Sequence, residues 1–254
     1  MPKVLVLAPY PLPEPQMALR RAQVDAAKVA AGMTFEFRGA KVAPVNYVSA
    51  HDNLLADIGM FEAGMHADDE GFDAVCIDTV SDAGVSALRS VLDIPVVGPG
   101  RAAMLHALTW GDRFGILTMW RQWKPLYTKV MRDAGISHAC ASIRSIDVDP
   151  DSQNLLTGKY DEVVAKLIDA GRHAVEDDGA DVLMLGSTTM HQAHADVAAA
   201  LPVPLINPGP LAYKLIEAAL ALGLRQSRVA HPKPRVDKRA VFAAMMAAAE
   251  KSDP

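Results

Sequence analysis

Two stretches decide the fold: GFDAVCIDT, at Gly71–Thr79, and GADVLMLGS, at Gly179–Ser187. They align without gaps, and each is an apolar segment that ends on a hydroxyl residue. With one residue inserted, the correspondence continues from Ile94–Gly100 to Val203–Gly209, where a short apolar segment again leads into a turn marked by glycine. Self-similarity of this kind predicts two halves with the same plan of strand, turn, helix and strand. The alternative is that the similarity is only what any two βαβ units would show.

Short runs rich in Val, Ile and Leu alternate with longer segments of helical period, as in parallel strands buried beneath crossover helices. Strands are predicted at 4–8, 34–38, 74–77, 95–97, 114–118, 142–146, 182–185 and 204–206. Helices are predicted at 17–31, 53–67, 84–92, 102–107, 124–134, 160–176, 191–200, 211–222 and 238–251. We therefore expect an α/β protein with two pseudo-symmetric domains, each a mainly parallel four-stranded sheet flanked by helices. Residues 1–100 and 208–254 form the first half and residues 101–207 the second, with the active site expected in the cleft between them.

The composition is that of a globular protein with enough apolar residues for a sizeable core. Of 254 residues, 50% are hydrophobic and 22% are charged,. The formal net charge is -5 and the basic residues are scattered, so nothing favours nucleic acid by long-range attraction,. No segment approaches a membrane span, and the apolar run near the N-terminus is shorter than that of a signal peptide. We expect a cytoplasmic protein with no nucleic-acid or membrane partner, and we expect it to form a homo-oligomer.

The two cysteines, Cys76 and Cys140, lie in apolar segments that look like strands rather than in loops with paired spacing,. We predict neither a disulfide framework nor a structural zinc site, and we expect both thiols to have packing roles. The sequence shows no dinucleotide or phosphate-binding glycine motif, no His-Glu-x-x-His pair and no lysine placed for a Schiff base. No cofactor and no metal is therefore predicted.

The hydroxyl residues that end the repeated strands, Thr79 and Ser187, are the first candidates for a site. Ligands of parallel sheets bind at the carboxyl ends of the strands. The peptides that follow, Val80–Asp82 and Thr188–Met190, are small or polar enough to form concave groups of backbone N–H donors suited to a carboxylate or enolate oxygen. The predicted substrate-binding residues of these turns are Val80, Ser81, Thr188 and Thr189. The alternative is that the hydroxyls are ordinary helix caps.

These paired segments, with Val96–Gly100 and Leu205–Gly209, resemble the aspartate/glutamate/hydantoin racemase superfamily from the first strand to about Leu224. The resemblance implies two α/β halves facing each other across a cleft, a small anionic substrate and no cofactor. In that family each turn usually carries a cysteine, and the two thiols stand on opposite faces of a bound carbon acid. The matching positions here are Thr79 and Ser187.

The exchange of thiols for hydroxyls changes the chemistry, because a thiol with a pKa of about 8.5 can be tuned to a thiolate. An aliphatic hydroxyl is a far weaker acid, so simple thiol racemisation is not expected. Three roles remain open for the hydroxyl pair. It holds the substrate by hydrogen bonds, relays protons for an unusually acidic carbon acid, or supplies one nucleophile activated by a nearby base.

Ionisable residues near the two turns are candidates for that base. His191 follows Ser187 by four residues, which brings both to one face if a helix has begun at the turn,. The alternative for His191 is a surface histidine near a helix start. Asp78 and Asp82 flank Thr79 and supply either a carboxylate base or a favourable charge at a helix N-terminus,.

Residues after the first strand of each half complete the predicted site. Thr118 and Arg121 are predicted to bind substrate, with Arg121 pairing to a substrate carboxylate,. Trp120 and Trp123 exclude water from the site or hold a flat ring of the substrate, and the alternative is that they pack between helices. Tyr10 is the obvious polar side chain in the loop after the first strand, and it is also predicted to bind substrate.

Together these features predict a cofactor-independent racemase or isomerase that acts on a small carboxylate, amide or hydantoin-type substrate through a carbanion or enolate. Its catalytic residues are Thr79, Ser187 and His191. One alternative is a lyase, decarboxylase or hydrolase that uses Ser187 as nucleophile or donor. The other is a non-catalytic protein that binds a small molecule.

Overall fold

The computed structural model of the protein describes residues 1–151 and 156–252. Its strands are β1 Lys3–Ala8, β2 Thr34–Gly39, β3 Ala74–Ile77, β4 Val96–Val97, β5 Phe114–Thr118, β6 Cys140–Ser145, β7 Val182–Leu185 and β8 Leu205–Ile206. Its α-helices are α1 Glu14–Ala27, α2 Ala50–Gly64, α3 Val85–Val91, α4 Pro99–Ala107, α5 Lys124–Ala134, α6 Tyr160–Glu176, α7 His194–Ala200, α8 Pro208–Ala221 and α9 Arg239–Glu250. Short 3-10 helices lie at Arg121–Trp123, Ser137–Ala139 and Thr188–Ala193. The predicted strands are all found, each within two residues of its predicted ends.

Helix ends were predicted less well than strands, and the reasons are local. α1 ends at Ala27 because Lys28 adopts a left-handed conformation with φ 48°, which stops the helix short of its predicted end,. α2 begins at Ala50, three residues before its predicted start, because Ser49 caps it. The Ser49 side chain accepts the Asp52 N–H while the Asp52 side chain accepts the Ser49 N–H, which is a capping box,.

The two sheets have the same topology. One has the strand order β2-β1-β3-β4 and the other β6-β5-β7-β8, and all pairings are parallel. Val4 pairs with Ala74 in the first sheet, and Phe114 pairs with Val182 at the equivalent position of the second. The prediction of two four-stranded parallel sheets flanked by helices is confirmed.

The chain divides into two compact units. The first, unit 1, contains Met1–Gly98 and the chain from Ala212 onward, and the second, unit 2, contains Pro99–Leu211. The central strands are apolar from Val4 to Ala8 in β1 and from Phe114 to Leu117 in β5, because helices cover both faces of a parallel sheet,. In unit 1, alternate residues of β1 pack with Met17, Tyr213 and Ile216.

Both cysteines are free thiols, but their environments differ. Cys76 is buried in β3, as predicted, whereas Cys140 begins β6 and is partly exposed. Burial raises the pKa of Cys76 well above its ordinary value and that of Cys140 to about 11,. In the described part of the chain, no helix is long and apolar enough to cross a bilayer, and no group of three or more His, Cys, Asp or Glu is placed to hold a metal ion.

Candidate functional site

The first turn of the candidate site follows β3 and is built around Thr79. The Thr79 Oγ1 atom lies 3.1 Å from Ser81 Oγ and accepts the Ser81 N–H at 3.5 Å. The Asp82 N–H donates to the Thr79 carbonyl at 3.1 Å and closes the turn. Gly84, not Thr79, occupies the cap position of α3. The helix-cap interpretation is therefore wrong for Thr79, whose hydroxyl bonds within its own turn.

The second turn repeats this pattern around Ser187, after β7. The Ser187 Oγ atom lies 2.8 Å from Thr189 Oγ1 and accepts the Thr189 N–H at 3.2 Å. The Met190 N–H donates to the Ser187 carbonyl at 3.3 Å. Here the hydroxyl does cap a helix, because the 3-10 helix Thr188–Ala193 begins at once. Both turns thus present a pair of hydroxyls two residues apart at the carboxyl end of a buried strand.

A buried ion pair lies beneath the first turn, at the residue before Thr79. One carboxylate oxygen of Asp78 accepts from Arg20 at 2.6 Å, and the other accepts from Gln23 Nε2 at 3.2 Å. The side chains of Arg20 and Asp78 are each 1% exposed. Because both carboxylate oxygens accept hydrogen bonds from α1, Arg20 and Gln23 anchor the turn through Asp78. Neither of its predicted roles, a catalytic base or a charge at a helix N-terminus, describes this arrangement.

The second turn has glycine at the equivalent position, and a tyrosine contacts it. The Tyr127 hydroxyl donates to the Gly186 carbonyl at 2.7 Å and also lies 2.7 Å from Thr118 Oγ1. A Cβ atom on residue 186 would lie 2.7 Å from the Tyr127 hydroxyl and 2.9 Å from the Leu117 carbonyl oxygen, so only glycine fits without rearrangement. Burial raises the pKa of Tyr127 well above its ordinary value and keeps the phenol neutral,.

His191 lies in the 3-10 helix after Ser187 and is 8% exposed, so its interpretation as a surface histidine is wrong. A 3-10 helix has about three residues per turn, so a four-residue spacing does not stack the imidazole on the Ser187 side chain. The Ser187 hydroxyl instead bonds to Thr189. The role of His191 as a general base stays a prediction.

Several predicted binding residues are too buried to use their side chains. Thr118 is 0% exposed, Thr188 is 2% and Val80 is 3%, so their side chains are enclosed by the protein rather than open to a ligand. Ser81 and Thr189 contribute the second hydroxyl of each turn. Tyr10 is half-buried in unit 1. There its ring packs edge-to-face on Tyr47, with 5.8 Å between the centroids.

Arg121 pairs with a carboxylate of the protein itself. Its guanidinium contacts Asp147 at 2.6 Å, and both side chains are exposed, at 69% and 48%. The bonds from Arg121 and Ser145 lower the pKa of Asp147 to about 2. These residues line a polar groove of about 640 Å³ together with Lys124. Trp123 is buried, and its indole lies edge-on to Trp120 at 6.4 Å.

Sequence reasoning missed the anchoring residues Arg20, Gln23 and Tyr127. The spacing of Met17, Arg20 and Gln23 places two polar side chains on the buried face of α1, and a charged residue in such a stripe is a signal for a buried partner,. For Tyr127 the signal was weaker, since an aromatic residue on a helix of unit 2 is expected in the core in any case.

Comparison with known proteins places this chain in a family. The model of the family described as Asp/Glu/Hydantoin racemase matches residues 21–216. A hydantoin racemase of Rhizobium meliloti is 27% identical over 194 residues, which cover 76% of this chain and 79% of that protein. A hydantoin racemase of Paenarthrobacter aurescens is 28% identical over 87% of this chain and 94% of that protein. The protein belongs to the Asp/Glu/hydantoin racemase family, and the resemblance seen in the sequence is confirmed.

A solved structure shows the same fold. The allantoin racemase from Klebsiella pneumoniae superposes with a TM-score of 0.84 at 23% identity, covering 93% of this chain and 95% of that one. The family membership makes this a racemase-type enzyme.

Proposed function

We propose that the protein is a cofactor-independent racemase of hydantoin-type ring compounds, with Thr79 and Ser187 acting on opposite faces of one substrate. The observation that supports this most is the equivalence of the two turns. Each places a hydroxyl where the family usually has a cysteine, and each pairs that hydroxyl with a second one, at 3.1 Å in unit 1 and 2.8 Å in unit 2.

The substrate class follows from what hydroxyls are able to do. The stereogenic carbon of a hydantoin ring adjoins a carbonyl, and loss of its proton gives an enolate delocalised in the ring. Its proton is therefore more acidic than the α-proton of an amino acid, and a weaker base suffices. The curated relatives are named hydantoin racemases, which agrees with this choice.

Each hydroxyl pair is suited to a proton relay. A hydroxyl both donates and accepts, so Ser187 can pass a proton to the ring carbon while it accepts one from Thr189. On the other face Thr79 and Ser81 are proposed to do the same, with the Asp82 carboxyl group as the group that supplies or takes up the proton at the end of that relay. His191 is proposed as the base that draws a proton from the Ser187 side, and the N–H groups of the turns as donors to the enolate oxygen.

Proton exchange in deuterated water tests this proposal. With a 5-substituted hydantoin, we expect the ring C–H signal to disappear from the proton spectrum while optical rotation decays. Thr79→Val and Ser187→Ala should each lower kcat about 100-fold or more, the usual contribution of a positioned proton donor or acceptor. Thr128→Val is the matched control, because that hydroxyl is exposed on α5 and donates to the Lys124 carbonyl.

Three results would contradict the proposal. Activity that survives both substitutions removes the two hydroxyls from the mechanism. A covalent adduct on Ser187, seen by mass spectrometry, indicates a lyase or hydrolase that uses Ser187 as nucleophile. Tight binding of ring compounds with no exchange and no turnover indicates a binding protein.

A further inference from the structure

We infer that Tyr127 is a positioning residue that fixes the Gly186–Ser187 peptide, so that the Ser187 N–H is a preformed donor to the enolate oxygen. The inference rests on the proposed function for the identity of that oxygen. The positioning itself rests on a chain of hydrogen bonds in unit 2, from Thr118 through Tyr127 to Gly186.

The donor and the acceptor in each of these hydrogen bonds are set by the single hydrogen of the Tyr127 hydroxyl. A phenol has one hydrogen, and Tyr127 donates it to the Gly186 carbonyl at 2.7 Å,. Thr118 is therefore the donor in the 2.7 Å contact with the Tyr127 oxygen. Both side chains are buried, at 0% and 1% exposure, so water does not compete for these bonds. Consecutive bonds of this kind polarise one another in a medium of low dielectric constant.

Both peptide groups of Gly186 make hydrogen bonds. Its own N–H donates to the Leu117 carbonyl at 2.7 Å, and its carbonyl accepts from Tyr127. The peptide to Ser187 is planar and trans, so the Ser187 N–H points away from the side on which Tyr127 binds,. A bond to the carbonyl also draws charge from the N–H of the same peptide and makes it a better donor. A donor fixed in advance stabilises a developing negative charge without reorganisation.

Unit 1 contains a matched tyrosine with no such role. Tyr213 is 1% exposed and packs on Phe35 with 5.2 Å between ring centroids. Among the described residues its hydroxyl has no hydrogen-bond partner. Tyr213→Phe therefore removes a buried phenol oxygen without removing a hydrogen bond to either turn, and it is the control for Tyr127→Phe.

Steady-state kinetics on a 5-substituted hydantoin give the first test. Tyr127→Phe should lower kcat about tenfold and leave KM nearly unchanged, because the lost interaction acts on the transition state. Thr118→Val, which removes the donor to Tyr127, should change kcat in the same direction by less. Tyr213→Phe should change neither constant. A lowered melting temperature with an unchanged kcat in Tyr127→Phe would overturn the inference.

A spectroscopic test does not depend on turnover. Gly186–Ser187 is the one Gly-Ser dipeptide of the sequence. Protein labelled with carbonyl-¹³C glycine and ¹⁵N serine should therefore give a single HNCO cross-peak, which reports the Gly186 carbonyl and the Ser187 N–H together. Tyr127→Phe should move the carbonyl resonance upfield, and Tyr213→Phe should leave the peak in place.

The two tests separate the inference from the proposed function. A cross-peak that does not move in Tyr127→Phe shows that the hydrogen bond from Tyr127 to the Gly186 carbonyl is absent, and it overturns the inference. If the cross-peak moves in Tyr127→Phe but the wild-type protein does not exchange the ring proton, the hydrogen bond from Tyr127 is supported and the racemase proposal is overturned.

Discussion

The two turns of the candidate site share one backbone and differ in what lies beneath it. In both, the residue before the hydroxyl donates its N–H to the neighbouring first strand of its sheet, at 2.8 Å from Asp78 to Leu7 and at 2.7 Å from Gly186 to Leu117. In both, the helix that follows the first strand of the sheet supplies the anchor. In unit 1 that anchor is the buried charge of Arg20, and in unit 2 it is the neutral hydroxyl of Tyr127.

This difference shows which feature the repeat conserves. The hydrogen bonds of the strand and turn backbone are the same in both units. The side chain of the residue before the hydroxyl differs, because this residue is Asp78 in unit 1 and Gly186 in unit 2. In unit 2 the anchor binds the backbone of the turn itself, because Gly186 leaves room for the Tyr127 hydroxyl. Unit 1 is expected to depend on electrostatics for its turn, and unit 2 on close packing.

Loss of the buried cation should give the largest effect. Arg20→Met leaves the Asp78 carboxylate buried without its ion-pair partner, and we expect a loss of about 3–5 kcal/mol in the free energy of unfolding, measured by urea denaturation. The double variant Arg20→Met/Asp78→Asn removes the buried charge and should recover much of that loss. A single variant as stable as the wild type would contradict a charged anchor in unit 1.

A methyl group at Gly186 should give the next largest effect. Gly186→Ala places a Cβ 2.7 Å from the Tyr127 hydroxyl and 2.9 Å from the Leu117 oxygen. We expect a loss of about 1–3 kcal/mol in unfolding free energy, as for other overpacked sites. Adding Tyr127→Phe relieves one of the two close contacts, so the double variant should lose less than the sum of the single variants. Strict additivity would show that the two residues do not touch.

Alkylation of the thiols should have the smallest effect. Raised pKa values keep Cys76 and Cys140 protonated at pH 7.5, and the protonated thiol is not the nucleophile,. Iodoacetamide at that pH should leave the proposed activity unchanged, with mass spectrometry showing at most slow modification of Cys140. Urea-unfolded protein, in which both thiols react, is the control. Rapid inactivation on modification of Cys76 would contradict the assignment of the chemistry to hydroxyls.

The fold was predictable because its signals are local or repeated. Apolar runs such as Phe114–Thr118 and Val182–Leu185 gave the strands within two residues, and the aligned stretches at Thr79 and Ser187 gave the common topology. Helix ends depended on single side chains, such as the Ser49 cap, which periodicity does not register.

The anchors of the site were not predictable, because they depend on contacts between distant residues. Arg20 meets Asp78 across 58 positions and Tyr127 meets Gly186 across 59. Arg121 looked free to bind a carboxylate, and its pairing with Asp147 required the path of the chain after β6. Sequence patterns locate the turns, whereas only the packed structure shows how each is held.

Deuterium exchange measured separately for each enantiomer of a 5-substituted hydantoin tests the central claim most directly. If the two hydroxyls serve opposite faces, Thr79→Val should abolish exchange of one enantiomer and retain it in the other, and Ser187→Ala should do the reverse. Equal loss for both enantiomers in both variants, or exchange that neither substitution affects, would contradict the account.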